Sequence, residues 1–510
     1  MISKVELKLA VACQDAASLL EQSIVMAASF NKPITYKLVT TYYDTPDLKL
    51  FDAGISLCIR HVAGRWIQSI KTIGHSFSGL YEYMESESEI SVGSPYLTKI
   101  SAPKLIKFLS NQNLIHALIP IFQTKVMHSE WTLGFNGGDK VELALDVGQL
   151  IVGKSHEPIS EIKLALKKGS KGRLFDLAMK LKSQTSITLG NNSKMQYGYA
   201  YYREIPLIVY YAKPPKLRRN NDANSAFKKI AWECVNQLLS NQDMVLYGTD
   251  IEGLHQMRVA LRRLRSAFTL FSKLIGRKNS VELLSELGLF ADSLGKARDL
   301  DVFIAETLPA VMRQFQNHEG LLKLRDKALS AKAVAYVKVR TEILSQRYHD
   351  WVLMLADWLE NERWHASIND HKDSDTKVLD VASASLTKHH KQLRRCGKHF
   401  THMLPEERHA TRIAAKKLRY AAEFFAGIYS PGKSRSFIKD LSRLQDCLGL
   451  LNDISSTEKL LHELIGPRPG HALDEALHIF IGCNACNVVN SLAQADHAWR
   501  KFTHHKSFWC

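Results

Sequence analysis

The feature that most constrains the fold is a change of hydrophobic periodicity near residue 205. Before it, apolar and polar residues alternate in segments broken by turn residues, which is typical of strands with two different faces. These segments are residues 5–11, 36–43, 55–62, 66–73, 80–90, 122–133, 140–152 and 161–167. Residues 14–29, 102–111 and 172–184 have helical spacing instead. We therefore expect an antiparallel sheet of about eight strands, closed into a barrel or tunnel, with a few helices.

After residue 205 the spacing of apolar residues becomes helical, as at Leu261, Leu264 and Phe268. Residues 212–221 contain two adjacent prolines and a polar run, which end any regular element. The predicted fold class is therefore α+β with two domains. We expect a β tunnel in residues 1–205, a linker in residues 206–222 and an all-α domain in residues 223–510.

The helical half contains an internal repeat. Residues 255–271 align without gaps on residues 409–425, with seven of 17 positions identical and an offset of 154. The same offset places Leu294-Gly-Lys-Ala-Arg-Asp299 on residues 448–453. Two separated matches at one offset indicate a duplicated helical unit. We expect two similar bundles related by a pseudo-twofold axis.

Each copy of the repeat gathers positive charge on one helix face. At 3.6 residues per turn, its histidine and three basic residues fall within about 80° of one another. The first copy contributes His255, Arg258, Arg262 and Arg265, and the second His409, Arg412, Lys416 and Arg419. For one helix alone, a solvated basic face is the simpler interpretation. Duplication of the same constellation favours an anion-binding surface.

The overall composition is basic, with the larger share of the net positive charge after residue 205. Lys and Arg outnumber Asp and Glu by 68 to 51, which gives a net charge of +17. This balance favours a polyanionic partner: nucleic acid, an acidic membrane surface or a phosphate polymer. No apolar run approaches the ~20 residues of a membrane span. Residues 1–10 carry charges rather than the apolar core of a secretory signal, and the eight cysteines are mostly isolated, so we expect a cytoplasmic protein.

The repeat resembles a known family. The pattern His255-x-x-Arg258-x-x-x-Arg262-Arg263-Leu-Arg265, its copy and the Leu-Gly-x-x-x-Asp segments resemble the conserved-histidine α-helical domain, CHAD. The resemblance covers about residues 220–510. It implies a basic groove that binds inorganic polyphosphate, often at polyphosphate granules, and assigns this binding to the eight repeat residues named above.

In the first half, charged residues alternate along several strands and so share one face. They include Lys4, Glu6 and Lys8, then Arg60, Lys71, Glu142 and Asp146, and finally Glu161 and Lys163. If the sheet closes with these faces inward, cations would hold phosphoryl oxygens and carboxylates would hold a divalent metal. The alternative is an ordinary antiparallel sheet with its charged face in water.

Short motifs in this half resemble the CYTH family of triphosphate tunnel enzymes. They are Val5-Glu6-Leu7-Lys8, Tyr43-Asp44-Thr45-Pro46, the segment from Gly54 to Arg60, Trp66 to Thr72, Leu145-Asp146 and Ser193-Lys194. The resemblance implies a tunnel that binds triphosphate substrates and hydrolyses them with a divalent cation, Mg²⁺ or Mn²⁺. It makes Lys8 and Glu6 catalytic, Lys8, Arg60, Lys71 and Lys194 ligands of the triphosphate, and Glu6, Asp146 and Glu161 ligands of the metal. The order CYTH then CHAD resembles inorganic triphosphatase-type proteins.

Two departures from the CYTH pattern concern the metal. Lys4 stands where the signature has its first Glu, and Lys163 replaces the middle Glu of the late Glu-x-Glu-x-Glu strand. A lysine neutralises phosphate as a point charge but cannot coordinate Mg²⁺. We therefore predict recognition of phosphate chains in both halves, with triphosphate hydrolysis impaired by these lysines. The alternatives are a non-catalytic polyphosphate scaffold and, less favoured because the basic faces lack interleaved aromatics, a nucleic-acid binder.

The segment Gly148 to Ser155 matches the phosphate-loop pattern letter by letter. That chemistry needs a strand, a glycine-rich turn and then a helix. Here Leu150, Ile151 and Val152 are strand formers, and Pro158 follows soon after. A hairpin between two strands is therefore predicted instead of a nucleotide site.

Overall fold

The computed structural model describes residues 2–16, 23–30, 32–72, 76–77, 79–96, 112–190, 194–203, 206–276, 278–367, 376–468 and 470–509. Its contacts divide the chain into two compact units. The tunnel unit comprises Met1–Ile208 and Ser345–Arg363, and the helical unit comprises Val209–Leu344 and Trp364–Cys510. That residues 345–363 belong to the tunnel unit was not predicted from the sequence. The domain boundaries at 205 and 223 stay predictions.

The tunnel unit is built on ten strands in the part of the chain that the structure describes. They are β1 Ile2–Val11, β2 Ile34–Asp44, β3 Ile55–Val62, β4 Arg65–Thr72, β5 Ser76–Phe77, β6 Leu80–Ile90, β7 Ile119–Gly134, β8 Lys140–Val152, β9 Ser155–Lys168 and β10 Ile187–Leu189. Eight of them close a barrel in the order β1-β9-β8-β7-β2-β3-β4-β6, since β6 also pairs with β1. Every pairing is antiparallel. The prediction of an eight-stranded antiparallel tunnel is confirmed.

Five helices accompany these strands among the described residues: α1 Ser23–Ala28, α2 Lys49–Asp52, α3 Gln112–His116, α4 Gly172–Lys182 and α5 Lys194–Arg203. The helix predicted at 172–184 is therefore present. Of the helix predicted at 14–29, residues 17–22 lie outside the described residues, and α1 occupies part of the remainder. The helix predicted at 102–111 lies wholly outside them.

Strand β1 explains how the barrel separates its two faces. Its odd-numbered residues Leu7 and Leu9 are fully buried, and α4 packs on β1 and β9 with its own apolar face. The even-numbered residues of β1 then face the barrel interior. Burial of leucines on one side thus fixes which charged side chains enter the tunnel.

The predicted hairpin at 148–155 is confirmed. Strands β8 and β9 pair as far as Val152 and Ser155, and the turn contains Gly153 at a φ of 57°. Glycine adopts this left-handed conformation without the steric penalty of a Cβ. No helix follows Ser155, so the arrangement that a phosphate loop needs is not formed there.

The remaining α-helices of the described chain belong to the helical unit, except α14, which belongs to the tunnel unit. They are α6 Ala223–Ser240, α7 Gln242–Tyr247, α8 Glu252–Leu270, α9 Ser272–Ile275, α10 Val281–Ser293, α11 Gly295–Val302, α12 Leu308–Gln314, α13 Glu319–Ile343, α14 Gln346–Glu360, α15 Val378–Cys396, α16 Pro405–Phe425, α17 Pro431–Ile465 and α18 His471–Thr503. The prediction of an all-α second half is confirmed. None of the helices described in this structure has the length and apolar character needed to cross a membrane.

The two copies of the repeat pack in equivalent ways. Helix α8 packs on α6 and α10, and its counterpart α16 packs on α15 and α17. Phe271 and Phe425, equivalent residues at the offset of 154, contact each other with ring centroids 6.0 Å apart. Asp222 and Lys377, near-equivalent positions before α6 and α15, form an antiparallel bridge. Contacts between equivalent residues agree with a pseudo-twofold axis passing between the copies.

Candidate functional site

A cavity of about 330 Å³ is lined by the barrel strands and the start of α5. Its cations are Lys4, Lys8, Arg60, Lys71, Lys163, Lys167 and Lys194. Its carboxylates are Glu6, Glu82, Glu87, Glu130, Glu142, Asp146 and Glu161. Charge gathered at this density inside a protein is costly unless each group is paired or meets a ligand.

Strand β1 supplies three of these side chains from its even-numbered positions, Lys4, Glu6 and Lys8. Burial alone would raise the pKa of Glu6, but the positive charges of Lys71, Lys163 and Lys8 outweigh it and lower this pKa to about 2. Burial lowers the pKa of Lys8. Glu6 is therefore a permanent anion near neutral pH, and Lys8 releases its proton more readily than an exposed lysine does.

A second group of charges surrounds Glu85 of β6, which is almost fully buried. The Nζ atoms of Lys4 and Lys71 lie 2.5 and 3.4 Å from its carboxylate, and Arg60 Nη2 lies 3.9 Å away. Ser69 Oγ donates a hydrogen bond of 2.5 Å to the same group. Burial would raise the pKa of Glu85, but Lys71 and the hydrogen bond from Lys4 hold it well below its usual range. Glu85 thus gathers three cations from three strands.

Asp146 of β8 lies between a histidine and a lysine. His128 Nδ1 is 2.5 Å from Asp146 Oδ1, and His128 Nε2 is 3.3 Å from Glu130. Lys194, at the first position of α5, forms an ion pair with the other oxygen of Asp146. Against the effect of burial, hydrogen bonds to Asp146 and Glu130 raise the pKa of His128. The arrangement therefore favours a positively charged His128 beside Lys194.

Strand β9 brings Lys163 next to other lysines. Lys163 lies directly opposite Lys8 in the β1–β9 ladder, although like charges at this position destabilise a sheet. The carboxylate of Glu142 is 3.5 Å from Lys163 Nζ and 2.5 Å from Lys167 Nζ. Burial lowers the pKa of Lys163, but Glu6 and Glu142 reverse the effect and raise it above its usual value. Lys163 is therefore a stable cation in the tunnel wall.

Glu161, also on β9, is less well satisfied than the other carboxylates. Its Oε1 lies 3.9 Å from the Nζ atoms of both Lys8 and Lys194. This oxygen is buried and has no hydrogen-bond partner among the described residues. Such an oxygen can accept a hydrogen bond from a ligand or water in the cavity.

The helical unit gathers its cations around His255 of α8. Burial, followed by the charges of Arg298, Arg262, Arg258 and Lys416, lowers the pKa of His255 to about 4. Lys416 belongs to α16, so the basic faces of the two copies meet here. Within the described chain, Arg258 Nη1 and Arg262 Nε are buried without a hydrogen-bond partner. Buried guanidinium donors are costly when unpaired, so the cluster is suited to an anion that accepts from them.

The Leu-Gly-x-x-x-Asp segment of the first copy lies beside this cluster. A Cβ atom at Gly295 would stand 3.0 Å from Arg258 Nη1, so glycine allows the close approach of the guanidinium. A cavity of about 400 Å³ next to it is lined by Arg258, Asp299 and Lys459 among others. Burial lowers the pKa of Arg258, and the negative charge of Asp299 offsets part of this lowering.

The other repeat residues have different surroundings. Arg265 and His409 are exposed, and Arg412 is half-buried. Arg419 Nε donates a hydrogen bond of 2.8 Å to Gln445, and its Nη1 lies 3.1 Å from Glu423. Their assignment to polyphosphate binding stays a prediction.

Comparison with known proteins agrees with the two-part architecture. The model of the CYTH domain matches residues 3–199, and that of the CHAD domain matches residues 229–462. The chain carries a CYTH domain followed by a CHAD domain. Against a solved structure, the CHAD domain from the plant Ricinus communis, the TM-score is 0.52 at 29% identity, over 59% of this chain and 98% of the plant domain.

Curated relatives match part of the chain. An inorganic triphosphatase of Haemophilus influenzae is 31% identical over 199 residues, which are 39% of this chain and 55% of that protein. An uncharacterized protein of Mycobacterium tuberculosis is 31% identical over 194 residues, 37% of each chain. The chain thus matches about half of the first relative and just over a third of the second.

The carboxylates of the CYTH tunnel do not form a metal site in the described part of the chain. No group of three or more His, Cys, Asp or Glu side chains there is placed to hold an ion. Asp146 and Glu161 are neighbours across β8 and β9, but Asp146 is bonded to Lys194 and His128, and Glu6 is surrounded by lysines. The observed donor set therefore does not fit a divalent cation. The assignment of Glu6, Asp146 and Glu161 as metal ligands stays a prediction.

The structure brings the sequence-predicted CYTH residues Glu6, Lys8, Arg60, Lys71, Asp146, Glu161 and Lys194 to one cavity. Sequence reasoning missed the β6 residues Glu85 and Glu87, as well as His128 and, in the CHAD domain, Arg298. Alternation along β6 from Tyr81 to Glu87 was a readable signal for the first two. His128 carried no such signal, because its role depends on its neighbours across the sheet.

Proposed function

We propose that this protein recognises inorganic phosphate chains with both domains. The CYTH tunnel would bind inorganic triphosphate and hydrolyse it, and the CHAD domain would hold polyphosphate. The observation that carries the proposal is the 330 Å³ cavity with seven lysine or arginine side chains in its wall. The triphosphatase name of the Haemophilus relative supports the same substrate class. The expected location, in the cytoplasm and at polyphosphate granules, stays a prediction.

In the tunnel, Lys8, Arg60, Lys71 and Lys194 would hold the phosphoryl oxygens. Ammonium and guanidinium groups in a water-poor cavity stabilise the charge that develops during phosphoryl transfer. A water oxygen would bond to the terminal phosphorus while the bridging P–O bond breaks, which yields orthophosphate and diphosphate. Lys8, with its lowered pKa, is suited to give a proton to the departing oxygen, and Glu6 would keep the surrounding lysines in place.

The test of the tunnel is phosphate release from inorganic triphosphate by the full-length protein, measured in Mg²⁺, in Mn²⁺ and in EDTA. Lys8→Met should lower the release at least ~100-fold, since a general acid contributes about that much or more. Lys37→Met is the matched control, because Lys37 is exposed and outside the cavity lining. Release that is absent in every condition, together with intact triphosphate binding, would favour the non-catalytic scaffold.

In the CHAD domain, the cluster of Arg258, Arg262, Arg298, Lys416 and His255 would grip the polymer. Arg258→Ala combined with Arg412→Ala should weaken polyphosphate binding. The affinity should also depend less steeply on salt concentration, because fewer phosphate contacts release fewer counterions on binding. Lys323→Ala is a control, since Lys323 is exposed and paired with Glu319. Unchanged affinity would show that the repeat faces are not the binding surface.

A nucleic-acid binder is the competing interpretation of the basic charge. Excess duplex DNA at matched salt should leave polyphosphate bound if the phosphate polymer is the ligand. Displacement by DNA at comparable phosphate concentration would favour the competing interpretation.

A further inference from the structure

Within the described tunnel, two of the carboxylates that line the cavity, Asp146 and Glu142, are already engaged by the protein's own cations. Asp146 contacts Lys194 and His128, and Glu142 contacts Lys163 and Lys167. We propose that the tunnel binds a triphosphate chain through protein cations alone, with no divalent metal bridging, and that Lys4 and Lys163 make this possible. The inference rests on the proposed function of the tunnel and concerns its binding step.

The charge balance of the cavity supports the proposal. Seven lysine or arginine side chains face seven carboxylates in the cavity wall. Glutamates at Lys4 and Lys163 would leave five cations against nine carboxylates. A cavity of that kind would repel a polyanion unless divalent ions entered with it, whereas the cavity as built needs none.

The position of Lys163 supports the proposal independently of this charge balance. Lys163 and Lys8 face each other across the β1–β9 ladder, and Lys194 approaches the same Glu161 carboxylate as Lys8. These three ammonium groups share Glu6, Glu142, Asp146 and Glu161, and the contacts that Glu161 makes to Lys8 and Lys194 are long, at 3.9 Å. Cross-strand lysines destabilise the empty sheet, so an anion bound between them would relieve the repulsion.

Lys4 provides a further ammonium group, on the opposite side of Glu6 from Lys8 along strand β1. Its Nζ lies 2.5 Å from Glu85 and 3.6 Å from Glu87, and an ammonium group has three donors. The carboxylates thus orient Lys4, and a remaining N–H can point at a phosphoryl oxygen. For a metal to use Glu6 as a ligand instead, it would have to enter the fields of Lys71, Lys163 and Lys8.

The test is calorimetric titration of inorganic triphosphate into the full-length protein, once in EDTA and once in Mg²⁺ at matched ionic strength. Arg258→Ala with Arg412→Ala serves as the background, so that the heat reports the tunnel rather than the CHAD domain. We expect the affinity in EDTA to equal or exceed that in Mg²⁺. Binding that requires Mg²⁺ would overturn the inference and leave the proposed function standing. Absence of binding in both conditions would overturn the proposed function itself.

Two variants in that background locate the effect. Lys4→Gln with Lys163→Gln should lower the affinity in EDTA at least about tenfold, because two charge-assisted contacts to phosphate are lost. Lys4→Glu with Lys163→Glu should abolish binding in EDTA and recover part of it in Mg²⁺. Since the glutamates at these sites would repel Glu85 and Glu142, the glutamine pair keeps the test valid if the glutamate pair does not fold.

The matched control is Lys37→Glu with Lys125→Glu. Both lysines are exposed on β2 and β7, outside the cavity lining, and the change in net charge is the same as in the glutamate pair. We expect this pair to bind triphosphate in EDTA nearly as the background does. Equal affinity of the background, the glutamine pair and the control in EDTA would refute the role of Lys4 and Lys163. Equal losses of affinity in the glutamate pair and in the control would attribute the effect to overall charge and would also refute the role of Lys4 and Lys163.

Discussion

Replacing Glu6 with glutamine should make the stability of the barrel less dependent on pH. Three lysines lower the pKa of Glu6 from its ordinary 4.5 to about 2. A depressed folded-state pKa contributes stability that is complete above the unfolded-state pKa and declines as the pH falls toward the folded-state value. For a pKa lowered from 4.5 to about 2, ionised Glu6 contributes about 3 kcal/mol to the free energy of unfolding at pH 6 and about 1 kcal/mol at pH 3. The difference in unfolding free energy between wild type and Glu6→Gln should therefore shrink by about 2 kcal/mol over that range.

Urea unfolding of 5-fluorotryptophan-labelled protein provides the measurement, with the ¹⁹F signals of Trp66 and Trp131 as reporters of the barrel. Both tryptophans lie on barrel strands, β4 and β7. Glu157→Gln is the control, because it makes the same change on β9 outside the cavity lining. A difference between wild type and Glu6→Gln that stays constant from pH 6 to pH 3 would refute the reasoning, since the lysines would then not be holding Glu6 ionised.

Three further predictions follow from buried contacts. Asp146→Asn and Lys194→Met should each destabilise the barrel by about 3 kcal/mol, because each removes one partner of a buried ion pair. The double variant should cost clearly less than their sum, and additivity in urea unfolding would contradict the pairing. Polyphosphate binding should raise the pKa of His255 from about 4. The affinity for polyphosphate should then increase as the pH falls from about 6.5 toward 4, and calorimetry should show proton uptake on binding. The same proton uptake in a His255→Gln variant would disprove this. Phe271→Ala should destabilise the helical unit by about 3–5 kcal/mol, since Phe271 is buried against Phe425; thermal unfolding with little change would argue against this contact as part of the core.

The elements of the fold were largely predictable from local pattern. Strands β1 to β4 and β6 to β9 overlap the eight alternating segments, because a half-buried sheet imposes period two on its own sequence. The short strands β5 and β10 were missed, since two or three residues carry no measurable periodicity. The membership of residues 345–363 in the tunnel unit was missed as well, because helical spacing does not reveal which unit a helix packs on.

The candidate sites were predictable to a different degree. Strand alternation placed Glu6, Lys8 and Arg60 on one face, and the repeat placed Arg258 and Arg262 on another. Neither pattern could reveal which carboxylate contacts which cation, because the partners come from strands far apart in the chain. The pairing of Lys4 with Glu85 joins residues separated by 81 positions, a distance over which one sequence carries no signal.

By itself, the sequence determined two things: a barrel with a charged inner face and a duplicated helical domain with basic stripes. Both follow from periodicities that local burial imposes on every segment. The tertiary structure alone decided that Asp146 is bonded to His128 and Lys194, and that lysines surround Glu6. It also decided that Lys416 of the second repeat faces His255 of the first. The physical reason is that charges act through space, and closing the barrel and pairing the repeats set those distances.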